Sequence, residues 1–134
     1  MGFQEWHGSD PYIAEPSVPL WTQTWECLVE TFRRAGTNVH AGLRLRQAYE
    51  SAGLPSPELR AERLSGGGAR YAGYRYLAGV IRSIEPMIVN YGVATADELD
   101  IDTLEDRLRT AAAASGSTVA FSAIVSAWTT KPAI

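Results

Sequence analysis

Short strand-like segments alternate with helix-like segments along this chain, and this alternation is the feature that most constrains its fold. The strand-like segments cover residues 3–7, 58–64 and 118–129, which either alternate in polarity or form β-branched apolar runs. The stretches between them carry apolar residues at helical spacing. Strands separated by helices in this way are typical of an α/β fold.

Two helices are predicted between the first and second strands. The first covers residues 19–35, with Ser17 as a candidate N-cap and Gly36 at its C-terminal end. The second covers residues 43–52 and stops at Gly53.

The remaining helices are predicted between the second and third strands. A long helix over residues 74–91 contains Pro86, which is expected to kink it. Residues 95–98 and 102–105 have the form of capping boxes, and each is expected to open a short helix. The second of these short helices is expected to end at Gly116.

Two segments are predicted to be irregular. Residues 11–19 are Pro-rich, and residues 65–68 include three consecutive glycines. The glycine segment lacks the G-x-G-x-x-G spacing of a nucleotide-binding turn, so a loop is the simpler interpretation.

Length and charge narrow the class of protein. A chain of 134 residues is expected to form a single domain, residues 1–134. Its 12 Lys and Arg are scattered and its net charge is −3, so nucleic acid is not an expected partner. No apolar run approaches the roughly 20 residues of a membrane span. We therefore expect a cytoplasmic protein without a membrane partner.

The single cysteine and the acidic residues do not indicate a metal site. Cys27 is the only cysteine, which suits a reducing compartment, and a buried inert thiol is its simplest interpretation. Cys27 and His40 lack metal-ligand spacing. The acidic residues between positions 97 and 106 do not match a calcium loop and are better explained as helix caps and a solvated face.

Five short motifs occur in one order along the chain. They are FQE at residues 3–5, GLRL at 42–45, AGLPSPEL at 52–59, GYRYL at 73–77 and WTTKP at 128–132. Together they resemble the C-terminal part of the class I S-adenosylmethionine-dependent methyltransferases. The resemblance covers nearly the whole chain, and Arg-rich, Lys-poor usage is typical of a GC-rich bacterial genome.

The resemblance implies a specific arrangement of strands. Residues 3–7, 58–64 and 118–129 would be the fifth, sixth and seventh strands of a seven-stranded sheet, and the seventh would run antiparallel between the other two. Residues 73–116 would form a helical lid near the substrate. The predicted fold is therefore the C-terminal part of a Rossmann-like methyltransferase fold, with about three mostly antiparallel strands and a helical lid insert.

The resemblance also implies what is missing. In that family the first strands build the cofactor site, and those strands would precede Met1, so no cofactor-binding residue is expected in this chain. S-adenosylmethionine would bind only if a partner or an upstream segment completed the fold. The first strand would be left open along one edge, which predicts a homodimer or a complex with a protein carrying the missing half.

His7 and Glu5 are weak catalytic candidates. In the predicted first strand, Phe3, Glu5 and His7 lie on one face and Gln4 and Trp6 on the other. His7 ends the strand, where open α/β sheets place ligand sites, and Glu5 could orient it. A structural polar histidine is the alternative.

Aromatic residues are the candidate substrate-binding set. They could line one pocket for a small aromatic or apolar ligand, with packing in the core as the alternative. The set consists of Trp6, Trp21, Trp25, Tyr74 and Tyr76, with Tyr71 as a further member. Arg44 and Arg75 could pair with an acidic ligand, although exposed surface is the simpler interpretation of both.

Two functions follow as hypotheses. The first is the substrate-side portion of an S-adenosylmethionine-dependent methyltransferase, inactive alone or active only with a partner chain. The second is a non-enzymatic module, derived from such an enzyme, that binds a small ligand or dimerises. The residues do not reveal the substrate or the methyl-accepting atom.

Overall fold

The computed structural model describes residues 2–8 and 10–131. Short strands and longer helices follow each other along the chain. In chain order they are β1 (Gly2–Trp6), β2 (Ile13–Glu15), α1 (Pro19–Arg34), a 3₁₀ turn (Gly42–Arg44), α2 (Leu45–Ser51), β3 (Glu58–Glu62), β4 (Ser65–Gly67), α3 (Gly73–Asn90), α4 (Ala96–Leu99), α5 (Ile101–Ser115), β5 (Thr118–Ala120) and β6 (Ile124–Trp128).

The strands form two three-stranded antiparallel sheets, so the α/β prediction is confirmed. Their orders are β1-β6-β3 and β2-β5-β4. The strand β6 lies between β1 and β3 and is antiparallel to both, so β1 and β3 run parallel to each other. This is the order and direction that the family resemblance implied for the three predicted strands.

The two sheets follow one another along the same three chain segments. The backbone N–H of His7 donates to Ala123 O at 3.0 Å, and that of Phe121 donates to Leu64 O at 3.0 Å. These bonds continue the pairing across residues 121–123, which lie between β5 and β6 and belong to neither strand. The prediction of one unbroken strand over residues 118–129 is therefore wrong, because residues 121–123 separate it into β5 and β6.

Both segments predicted to be irregular contain a strand. Ala14 of β2 pairs with Val119, and Gly66 of β4 pairs with the same residue from the other side. The prediction that residues 65–68 form a loop is therefore wrong, because backbone pairing to β5 overrides the weak strand preference of glycine.

The two faces of the β1-β6-β3 sheet are covered by different helices. Phe3 packs edge-on against Tyr49 of α2, with ring centroids 5.9 Å apart. Trp6 packs on the opposite face against Phe32 of α1, also at 5.9 Å. The alternation predicted for the first strand is thus confirmed at its two ends. The Tyr49 hydroxyl also donates to Ala127 O at 3.0 Å and ties α2 to the central strand.

The main hydrophobic core lies between helices α1, α3 and α5 and the sheet face that carries Trp6. Residues 73–116 are largely helical, as predicted, and their apolar side packs into this core against α1. The core side chains that this segment contributes are fully or nearly buried; they are Tyr74, Leu77, Ala78, Ile81, Ile84, Ile88, Leu104, Leu108 and Ala112. None of the helices in the described ranges is both long enough and apolar enough to cross a membrane.

The helix boundaries test the predicted caps. The Thr95 hydroxyl accepts from the Glu98 N–H at 3.1 Å, which confirms that cap. Gly116 ends α5 with φ +63°, as predicted. The capping box predicted at residues 102–105 is wrong, because α5 already begins at Ile101. The N-cap predicted at Ser17 is also wrong, because Val18 holds that position and Pro19 opens the helix.

An aromatic cavity as the candidate functional site

A cavity of about 280 Å³ lies at the carboxyl ends of β1 and β3. Trp6, the last residue of β1, lines it, and so does Leu64, which follows β3. Phe121 and Ser122, which lie between β5 and β6, also line it, so the cavity lies where the two sheets meet. Aromatic and aliphatic side chains form most of its wall; the lining residues are Trp6, Tyr12, Leu64, Tyr71, Ala72, Gly73, Tyr76, Phe121, Ser122 and Ile124.

The ring of Phe121 organises one wall of the cavity. Tyr12 packs against it with ring centroids 5.0 Å apart, and Tyr76 packs against it at 5.7 Å. Behind it, the ring of Trp21 lies 5.1 Å away. All three contacts are edge-to-face, which is a favoured geometry for aromatic pairs. The segment between β5 and β6 therefore contributes the ring that these aromatic side chains share as a contact.

Two glycines make room for Tyr71 in the cavity wall. A Cβ atom on Gly66 or on Gly73 would overlap the Tyr71 ring, so a side chain at either position would force that ring to move. A Cβ atom on Gly67 would lie 2.6 Å from Ser117 O. The glycine-rich segment therefore serves close packing around the cavity.

The same glycines do not fit a cofactor-binding loop. Gly66 and Gly67 pair with β5 in an antiparallel sheet, and Gly68 begins the connection from β4 to α3. The glycines of this connection lack the G-x-G-x-x-G spacing of a dinucleotide-binding turn.

The polar end of the cavity is neutral. Trp6 Nε1 donates a hydrogen bond to Ser122 Oγ, and Ser122 also hydrogen-bonds the Tyr12 side chain. Burial raises the pKa of Tyr12 to about 12, and the neighbouring Tyr76 acts in the same direction. At neutral pH the Tyr12 hydroxyl is therefore a phenol, and none of the lining residues carries a charge.

Stability is expected to fall between about pH 10 and pH 12 partly because of Tyr12. An unfolded tyrosine has a pKa of about 10, so over this range the folded state holds a proton at Tyr12 that the unfolded state has lost. The free energy of unfolding then decreases by up to about 1.4 kcal/mol per pH unit. Tyr12→Phe should flatten this slope in urea denaturation relative to the wild type. A Tyr12→Phe variant with the wild-type slope would contradict the assignment.

The structure separates the predicted aromatic set into two groups. Trp6 and Tyr76 line the cavity, and Tyr76 stands at its rim with 64% of its surface exposed. Trp21 and Tyr74 have no exposed surface and pack edge-on in the main core. Trp25 is half-buried against the same core. Core packing is thus the better description of Trp21, Trp25 and Tyr74.

Two of these core aromatics keep an unpaired polar atom. Trp25 Nε1 and Tyr74 Oη are buried without a hydrogen-bond partner among the described residues. Burial raises the pKa of Tyr74, although the nearby Arg109 opposes that shift. Neither residue lines the cavity.

His7 and Glu5 lie on the other face of the sheet from Trp6. His7 is 5% exposed, and its Nδ1 accepts a hydrogen bond from the Leu43 N–H at 3.1 Å. A Cβ atom on Gly42 would lie 2.7 Å from His7 Cβ, so the 3₁₀ turn packs closely on the end of β1. Glu5 is exposed, and neither residue lines the cavity. The polar contact of His7 fits the structural alternative.

Several cavity residues were absent from the predicted set. Tyr12 lies in a stretch predicted to be irregular, and no pattern marks it. Phe121 and Ile124 lie in the predicted last strand, where an apolar residue is indistinguishable from an ordinary core residue. Arg44 and Arg75 are both exposed, and Arg75 borders a shallow depression on the outer side of Tyr76.

Comparison with known proteins identifies no relative. A scan of protein-family models and searches of curated proteins and of solved structures found no match. Within residues 2–8 and 10–131, no group of three or more His, Cys, Asp or Glu side chains is placed to hold a metal ion.

Proposed function

We propose that these 134 residues form the substrate-side portion of an S-adenosylmethionine-dependent methyltransferase whose donor site lies outside them. The observation that carries the proposal is the strand order β1-β6-β3, with β6 antiparallel between two parallel strands. This is the order implied by the resemblance of the motifs at residues 3–5, 52–59 and 128–132 to that family. The aromatic cavity at the carboxyl ends of β1 and β3 gives an acceptor a place to bind.

The chemistry of methyl transfer suits such a division. Holding a donor and an acceptor in line lowers much of the barrier to a bimolecular step, so a portion that only orients the acceptor contributes to catalysis. His7 and Glu5 lie away from the cavity, and we assign neither a catalytic role.

The outer edge of β1 is the proposed contact with another chain. Because the His7 N–H bonds to Ala123, the alternation of an antiparallel pair directs the N–H groups of Phe3 and Glu5 toward β6. The N–H groups of Gln4 and Trp6 then point outward, where no strand of the described ranges pairs with them. Such an edge is a template for a further strand.

The opposite edge is less suited to pairing. Three of the five residues of β3, namely Glu58, Arg60 and Glu62, are charged, and Arg60 forms an ion pair with Glu62 at 2.7 Å. Charged side chains are a common protection of edge strands. On β1 the only charged residue is Glu5. The proposal therefore places a second copy, or a chain carrying the donor half, against β1.

A cytoplasmic location fits the single thiol. Burial raises the pKa of Cys27, and Glu98 acts in the same direction, so the thiol is a weak nucleophile. Cys27 is half-buried and needs no oxidising compartment.

Calorimetric titration with S-adenosylmethionine tests the proposal. The 134-residue chain is expected to give no binding heat, with S-adenosylhomocysteine as a second titrant, because its glycine-rich segment lacks the G-x-G-x-x-G spacing. Binding of either compound with 1:1 stoichiometry, at an affinity that Tyr76→Ala leaves unchanged, would show that a donor site separate from the cavity lies within these residues, and would overturn the proposal.

A second candidate is a ligand-binding module without catalysis, and the preformed cavity favours it. The two candidates differ in what a completed complex does. A methyltransferase portion transfers a labelled methyl group to a cavity ligand when a donor-binding chain is added. A binding module retains the ligand unchanged under the same conditions.

A further inference from the structure

We infer that the aromatic cavity takes an uncharged, planar aromatic ligand about the size of two fused rings. The inference rests on the proposed function and deepens it, because it names the chemical class of the acceptor. It follows from the volume of the cavity, the nature of its wall and the absence of a charge partner along that wall.

The size limit comes from the volume. A cavity of about 150 Å³ holds a benzene molecule, and this cavity measures about 280 Å³. A bicyclic ring system therefore fills it, whereas a single ring leaves much of the wall without contact. The rings of Tyr12, Tyr76 and Phe121 are held by their mutual edge contacts, so little ordering is needed when a ligand enters.

The charge limit comes from the polar groups. Ser122 Oγ is engaged by Trp6 Nε1 and by Tyr12, so the polar end offers neutral hydrogen-bonding groups. Arg63 lies behind this wall, but it donates to Phe121 O at 2.8 Å and to Pro11 O at 2.5 Å. An ionised ligand would lose hydration in this cavity without gaining a counter-charge.

Arg75 is the charged side chain that could contradict this view. It lies in the adjoining depression beyond Tyr76 and is exposed to solvent. An exposed ion pair contributes little, typically below about 1 kcal/mol. A carboxylate on the ligand is therefore not favoured, and an anionic probe tests the point directly.

Three probes that share one ring system separate the classes. Calorimetric titration with 2-acetonaphthone (neutral), 2-naphthoate (anionic) and 2-naphthylmethylammonium (cationic) should show 1:1 binding of the ketone. The two ions should bind at least about tenfold more weakly. A charged probe that binds as tightly as the ketone, or a ketone that does not bind, would overturn the inference.

A pair of tyrosine variants locates the binding. Tyr76→Ala removes a rim ring and should weaken ketone binding roughly three- to tenfold. Tyr91→Ala removes an exposed tyrosine beyond the other end of α3, which lines no part of the cavity, and should leave the affinity unchanged. Equal affinity of Tyr76→Ala and the wild type would show that the ketone binds elsewhere.

The outcomes distinguish this inference from the proposed function. No methyl donor is present in the probe titrations, so S-adenosylmethionine binding by the chain would overturn the proposed function and leave these results unaffected. Failure of the neutral probe would overturn the ligand class and leave the strand-order argument unaffected.

Discussion

Replacement of Trp21 by alanine is expected to lower the free energy of unfolding by about 3–5 kcal/mol. The side chain has no exposed surface and packs against Tyr12, Tyr74 and Phe121. Its Nε1 donates to Ala120 O at 3.3 Å, so it also ties α1 to the end of β5. Truncation leaves a cavity that these rings cannot close, which adds to the lost burial.

Urea denaturation followed by circular dichroism measures this effect, with Trp128→Ala as the matched control. Trp128 is 43% exposed at the end of β6, so the same truncation should cost less than about 1 kcal/mol. A cost for Trp21→Ala as small as that of Trp128→Ala would mean that Trp21 belongs to an open pocket and not to the core.

Replacement of Gln4 by proline is expected to convert a dimer of this chain into a monomer while the fold persists. In the dimer, β1 of one copy pairs antiparallel with β1 of the other, and the register is centred on Gln4. Gln4 then faces Gln4 of the other copy and Glu5 faces Phe3, so no like charges face each other. Proline removes the outward N–H that such pairing requires. It removes no bond to β6, because the inward N–H groups of β1 belong to Phe3 and Glu5.

The control is Gln4→Thr, which keeps the outward N–H. Both variants lose the bond from Gln4 Nε2 to Ser126 Oγ, which is exposed and 3.0 Å long, so this loss cancels in the comparison. Light scattering should give a dimer for the wild type and for Gln4→Thr and a monomer for Gln4→Pro, with similar circular dichroism spectra. A dimer that survives Gln4→Pro would place the interface away from β1.

Much of the fold could be predicted from local patterns. The helices over residues 19–34 and 73–90 follow from apolar spacing, and their ends lie within about two residues of the predicted ones. The strand order depended on the family resemblance, because pairing between distant segments leaves no local signal. The interruption between β5 and β6 and the strand β4 were missed, since both depend on partners far away in the chain.

The site was harder to predict than the fold. An aromatic residue on the apolar side of a helix suits either a core or a pocket, so periodicity alone could not separate Trp21 from Tyr76. Tyr12 and Phe121 are 109 positions apart and meet only in the folded chain, where their ring centroids lie 5.0 Å apart. Gly66 and Gly73 could have indicated close packing at this site, since both make room for the Tyr71 ring.

Amide hydrogen exchange at Gln4 and Trp6 tests most directly whether another chain completes this sheet at β1. At low concentration these outward N–H groups should exchange fast, whereas those of Phe3 and Glu5 should be protected. As the concentration rises and the dimer forms, protection at Gln4 and Trp6 should approach that of their neighbours. Fast exchange at both positions over the whole range, in a chain that stays monomeric, would contradict the pairing of β1 with a second copy.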